Sequence, residues 1–111
     1  MRQIKIYPEI GDHLMKFVGG VYLHGSAESK YKTDLISTSK DTYDLLSELD
    51  DGIYDVVVVG DELKETQASM YFWKVPSVVG RKQLRGLICL KDDAEAIKDS
   101  EKKFKERVEW L

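Results

Sequence analysis

Carboxylates are the most abundant reactive side chains in this chain of 111 residues, and they are not evenly spread. Residues 41–65 hold nine of them (Asp41, Asp44, Glu48, Asp50, Asp51, Asp55, Asp61, Glu62 and Glu65) against Lys64 alone, a local charge of −8. Residues 66–91 hold no acid and five bases, Lys74, Arg81, Lys82, Arg85 and Lys91, a local charge of +5. The flanking segments carry +2 and −2, so the total of −3 conceals a strong internal contrast. Blocks of opposite sign suit electrostatic recognition better than bond-making chemistry.

Each block suggests a different partner. In the acidic block, Asp44, Glu48 and Asp51 fall near one side of an expected helix, and Asp61 and Glu62 follow the next expected strand. Such a surface suits a basic protein groove, where charge complementarity speeds association and rejects wrong partners more than it adds affinity. The plain alternative is a solvated helix face. In the basic block, Tyr71, Trp73, Lys74, Arg81, Lys82 and Arg85 combine rings that stack on bases with cations that hold phosphates. Strand alternation puts Tyr71 and Trp73 on one face and Phe72 on the other. One of those faces can equally be core, and an isoelectric point near 5.4 argues against a general nucleic-acid binder.

Catalytic chemistry has less to work with. There is no phosphate-binding glycine loop, no metal-spaced pair of Cys or His, and no glycine-flanked nucleophile. His13 and His24 would need further ligands from the fold to hold a metal. Cys89 lies between Ile88 and Leu90 in an apolar strand, where a thiol is a small buried hydrophobe; pairing it with His24 as a nucleophile has no support from spacing. Asp61 and Glu62 would stand at the carboxyl end of a sheet, a common ligand position, if their strand has a parallel neighbour. We therefore expect no metal and no cofactor, and keep an enzyme as a third class only, with Asp61, Glu62 and His24 the residues to test if activity is found.

The elements that must position these groups are organised around Ile53-Tyr54-Asp55-Val56-Val57-Val58-Val59-Gly60. Four consecutive valines between glycines form too short a run for a helix, and they read as a strand buried on both faces. Ahead of it, Arg2–Tyr7 alternates up to Pro8 and predicts an edge strand. Residues 14–23 predict a second strand, bent or bulged at Gly19-Gly20, and 24–32 a polar loop. A short strand at 34–37 precedes a capping box from Thr38 to Asp41, then a helix burying Tyr43, Leu45, Leu46 and Leu49 and ending at Gly52. Strand, helix and valine strand together suggest a β-α-β unit, crossing over right-handed if the strands are parallel.

Beyond the valines, Asp61–Ser69 is expected to leave the sheet. Met70–Val75 and Leu84–Lys91 form an antiparallel hairpin across a loop with Gly80-Arg81 at its tip. Asp92 to Glu95 starts a second helix with Ala94, Ile97, Phe104, Val108 and Leu111 on a narrow stripe facing the sheet.

These elements predict one α+β domain over 1–111, a mixed sheet of five or six strands with two helices. The alternating N-terminus is no signal peptide, and no apolar run approaches the roughly 20 residues of a membrane span. One cysteine fits a reducing compartment, so we expect a cytoplasmic protein without membrane contact. The narrow stripe, Trp110 and the unpaired first strand would each favour self-association. The function expected is a non-catalytic adaptor or inhibitor binding another protein through the acidic region; the alternative is binding of single-stranded nucleic acid or a nucleotide through residues 71–85.

Overall fold

The structure is a computed structural model that describes residues 3–7, 19–24, 34–76, 80 and 82–109. Among these residues six strands and two α-helices follow one another: β1 (Ile4–Tyr7), β2 (Val21–His24), β3 (Asp34–Ser37), α1 (Lys40–Ser47), β4 (Gly52–Val59), β5 (Glu65–Val75), β6 (Gln83–Leu90) and α2 (Ala94–Glu109). The mixed sheet of the α+β expectation is present, and it closes into a barrel in the order β1-β2-β3-β6-β5-β4. Residues 14–18 of the expected second strand, residues 25–32 of the loop expected at 24–32, Arg81 and Trp110 lie outside the described residues; at the expected bend Gly19 has a positive φ of 80° and β2 begins at Val21.

Alternation sorts each strand into a wall. Ile6, Val21, Leu35, Val56, Ala68, Met70, Phe72 and Leu84 point inward and fill the barrel, with Tyr54, Val58 and Ile88 partly buried against them. Leu35 lies across β6 where Gly86 has no side chain, its methyl carbons 3.4 Å from the position a β-carbon would take. Val57 and Val59 face the other way and are also buried, so the valine strand is covered on both faces as expected.

Closure changes the role of the first strand. β1 pairs in parallel with both β2 and β4, so it is no edge, and the backbone groups that favoured self-association are already bonded. Closure also changes the strand–helix–strand unit. β3 runs antiparallel to β6, β6 to β5 and β5 to β4, which makes β3 and β4 antiparallel and non-adjacent. The helix between them therefore spans the barrel end, where Leu46 enters the core, in place of a right-handed parallel crossover.

The caps of α1 differ from expectation by local competition. The N–H and hydroxyl of Thr38 both donate to the Gly20 carbonyl (3.1 and 3.3 Å), which takes Thr38 out of the capping role. Ser39 caps instead, its hydroxyl accepting from the Thr42 N–H (3.2 Å). The helix stops at Ser47 with Glu48 in the right-handed region, and Gly52 becomes the first residue of β4 opposite Phe72. Leu45, expected inside, is 55% exposed, whereas Tyr43 and Leu49 pack partly against the core. At the start of α2, Asp93 accepts from the Ala96 N–H (3.1 Å), a cap at the expected place. The stripe beneath α2 is Ala96, Ile97, Ser100 and Phe104, while Ala94 is exposed.

Asp61–Ser69 does not leave the sheet. After a turn at Asp61–Leu63 the chain re-enters as β5, with Val59 opposite Glu65 and the Gly60 N–H donating to the Lys64 carbonyl (2.8 Å). The turn holds two consecutive non-glycine residues in the left-handed region, Glu62 (φ 55°) and Leu63 (φ 61°). Those are the φ signs of a type I′ hairpin turn, which favours Asn-Gly. Leu63 is also 61% exposed, so its side chain gains little in return. Leu63→Gly is expected to stabilise the protein by about 1 kcal/mol. The check is a higher urea midpoint at unchanged slope; a lower midpoint would mean that the leucine side chain holds the turn.

Candidate functional site

The five acidic residues singled out from the sequence do not converge. Asp44 sits on α1, Glu48 at its C-cap and Asp51 just beyond, at the barrel end that α1 closes. Asp61 and Glu62 form the turn after β4. Eight residues of extended strand, roughly 25 Å, separate the two groups.

The α1 end is built by hydrogen bonds that tie helix to barrel. The Tyr43 hydroxyl donates to the Lys82 carbonyl (2.6 Å), and the Tyr54 hydroxyl to the Asp50 carbonyl (2.6 Å). Lys74 Nζ donates to the Ser47 carbonyl (3.1 Å), placing a cation at the negative end of the helix dipole. The Lys74 N–H donates to Asp51 Oδ1 (3.2 Å). Asp51 and Lys74, drawn from the two opposite charge blocks, are thus direct neighbours, and Asp51 fastens β5 to the α1–β4 connection.

Other members of the acidic block are also engaged. Asp55 pairs with Lys91 (2.7 Å) and Glu65 with Lys5 (3.4 Å), in partly exposed bridges of modest worth. What remains on α1 is one exposed side. Asp41, Asp44 and Glu48 are exposed and make no ion pair among the described residues, and Leu45 lies between them. The sequence signal for Leu45 was its place beside Asp44 and one helical turn from both Asp41 and Glu48.

The aromatic face of the hairpin is occupied. Tyr71 and Trp73 share a face as alternation requires, but both are buried beneath α2. Phe104 packs on them with ring centroids at 5.8 and 6.2 Å and tilts near 60°. Phe72 points into the barrel, edge-on to Tyr54 at 6.1 Å. Burial pushes the Tyr71 hydroxyl pKa up, and the charges of Cys89 and Glu101 add to it. Of the cations, Arg85 stands opposite Trp73 across the ladder and donates to Gln83 Oε1 (3.0 Å), and Lys82 is exposed.

Cys89 is a buried free thiol in the same layer. Burial raises its pKa; the neighbouring Ser100 hydroxyl pulls the other way and the Asp93 charge adds to the rise. Ser100 itself is fully buried, and its hydroxyl makes no hydrogen bond of good geometry. A disfavoured thiolate under a helix is a poor nucleophile. Among the described residues no group of three or more His, Cys, Asp or Glu is placed to hold a metal, and no helix is long and apolar enough to cross a membrane.

No protein-family model, curated protein or solved structure matches this chain. Its function is therefore argued from its own geometry.

Proposed function

We propose that this chain is a non-catalytic binding module of the adaptor or inhibitor type, whose contact surface is the outward side of α1. The observation that carries it is the arrangement of Asp41, Asp44 and Glu48 around the exposed Leu45. An apolar anchor rimmed by unpaired carboxylates suits a protein partner with a basic rim around an apolar pocket. The helix is rigidly mounted, because Leu46 is set in the barrel, Tyr43 is hydrogen-bonded to Lys82 just ahead of β6, and Ser47 to Lys74 of β5. A rigid mount lowers the ordering cost of association. Asp61 and Glu62 lie too far along β4 to share a small contact area with this face.

The test is a double charge reversal, Asp44→Lys with Glu48→Lys, leaving Asp51 in place because its carboxylate holds the Lys74 N–H. Both substituted side chains are exposed, so stability should change by less than about 0.5 kcal/mol. A protein that the unaltered chain captures from its native host's extract at low salt should be lost by the variant. With that protein purified, the association rate should fall about tenfold or more and lose much of its salt dependence. Equal capture by both forms at low salt would exclude this face.

A further inference from the structure

Unpaired charge on an outward helix side is not confined to α1. On α2, Ala96, Ile97, Ser100 and Phe104 face the wall of β5 and β6, which turns Lys98, Lys102 and Lys105 to solvent. All three lysines are exposed, and none makes an ion pair among the described residues. Their spacing of i, i+4 and i+7 sets them in a line along the helix. Glu95 and Glu106 stand beyond its two ends, with Glu101 to one side.

Asp41, Asp44 and Glu48 form a line of the same length on α1 and its C-cap, at i, i+3 and i+7. Both lines cover seven residues of helix, about 10 Å. Within each, like charges sit one turn apart, which weakens a helix unless an opposite charge is brought to it.

Each line therefore supplies what the other lacks, three carboxylates and three ammonium groups over equal lengths. Their ends match as well. Lys40 is exposed just ahead of Asp41, and a glutamate stands beyond either end of the lysine line, so Lys40 meets a carboxylate whichever way the helices run. Leu45, exposed among the carboxylates, finds an apolar bed in the methylene stems of the lysines.

The two lines do not meet within one molecule. α1 closes the barrel end through Leu46, whereas α2 is held on the side wall by Phe104 against Tyr71 and Trp73. We propose that the outward side of α1 docks on the lysine line of α2 in a second copy of this chain. The proposal rests on α1 being a contact surface and names what covers it. Because two different patches meet, the contact is head-to-tail, and each pair keeps a free patch at either end. The side of one eight-residue helix is a small contact, so association is weak, reversible and sensitive to salt.

Sedimentation velocity reads this self-association directly. For the unaltered chain at low salt the mean sedimentation coefficient should rise with concentration, and the rise should vanish in about 0.5 M salt. Asp44→Lys with Glu48→Lys, and separately Lys98→Glu with Lys102→Glu, should each weaken association about tenfold or more. All four substitutions in one chain keep the net charge at −3 and exchange the signs of the two lines, so association should return.

A coefficient that stays flat with concentration for the unaltered chain would overturn the proposal. So would association that survives Lys98→Glu with Lys102→Glu, or that the fourfold form fails to restore. A chain that is monomeric throughout, yet loses a captured host protein on reversal of Asp44 and Glu48, would remove the second copy alone and leave α1 as a surface for another protein.

Discussion

Phe72→Ala is expected to lower the stability of this protein by about 3–5 kcal/mol, a large part of the total for a domain of this size. Phe72 is fully buried at the middle of the barrel. Its ring meets the edge of Tyr54, and across the ladder it faces Gly86, which has no side chain to move into the space. The strand that carries it is bonded on both sides, to β4 and to β6, so the wall cannot move inward to close the cavity. Residual cavity volume is what sets the cost of such a truncation. Urea unfolding followed by far-ultraviolet circular dichroism measures it, as a lower midpoint at constant slope. A loss below about 1 kcal/mol would mean that the interior is not packed around this ring.

The second large effect separates two adjacent leucines of α1. Leu46→Ala is expected to cost about 2–5 kcal/mol, because the side chain is 1% exposed and closes one end of the barrel core. Leu45→Ala, 55% exposed on the opposite side of the same turn, should cost less than about 0.5 kcal/mol. The same Leu45→Ala variant should weaken binding to a partner docked on the outward side of α1, because it removes the apolar centre of that contact. Equal destabilisation by the two substitutions would mean that α1 is turned differently on the barrel. The result then bears on fold and function together.

Much of the local structure was legible in advance because it depends on neighbours in the chain. The valine strand, the antiparallel hairpin of β5 and β6, and both helices follow from periodicity of two or of about 3.6 residues, with turn residues between. The inward set Leu84, Gly86 and Ile88 and the outward set Arg85, Leu87 and Cys89 are a direct consequence of strand alternation. Misplaced boundaries have local causes too. Thr38 was removed from the cap by a carbonyl eighteen residues earlier, Gly20, which no window of neighbouring residues contains. Glu65–Gln67 is polar because it lines the exposed end of β5, where ladder bonds to β4 hold the chain without apolar side chains; burial resumes at Ala68.

The candidate site was legible as residue types and not as a surface. A run of nine carboxylates was plain, but Asp51, Asp55 and Glu65 turned out to be held by Lys74, Lys91 and Lys5, and Asp61 and Glu62 were carried to the far end of β4. Charge segregated along a chain is redistributed when strands distant in sequence become neighbours, as β1 and β4 do.

By itself the sequence determined what depends on short-range order: which segments are strands or helices, which side chains of a strand share a face, and how much charge each block holds. Only the tertiary structure decided that the sheet closes, that α1 seals one end of it, and that α2 lies over Tyr71 and Trp73. The physical reason is that alternation gives a strand two faces without saying which will be covered. Both faces of β5 are apolar, and whether its rings meet a base, a partner or Phe104 depends on a helix more than twenty residues away in the chain.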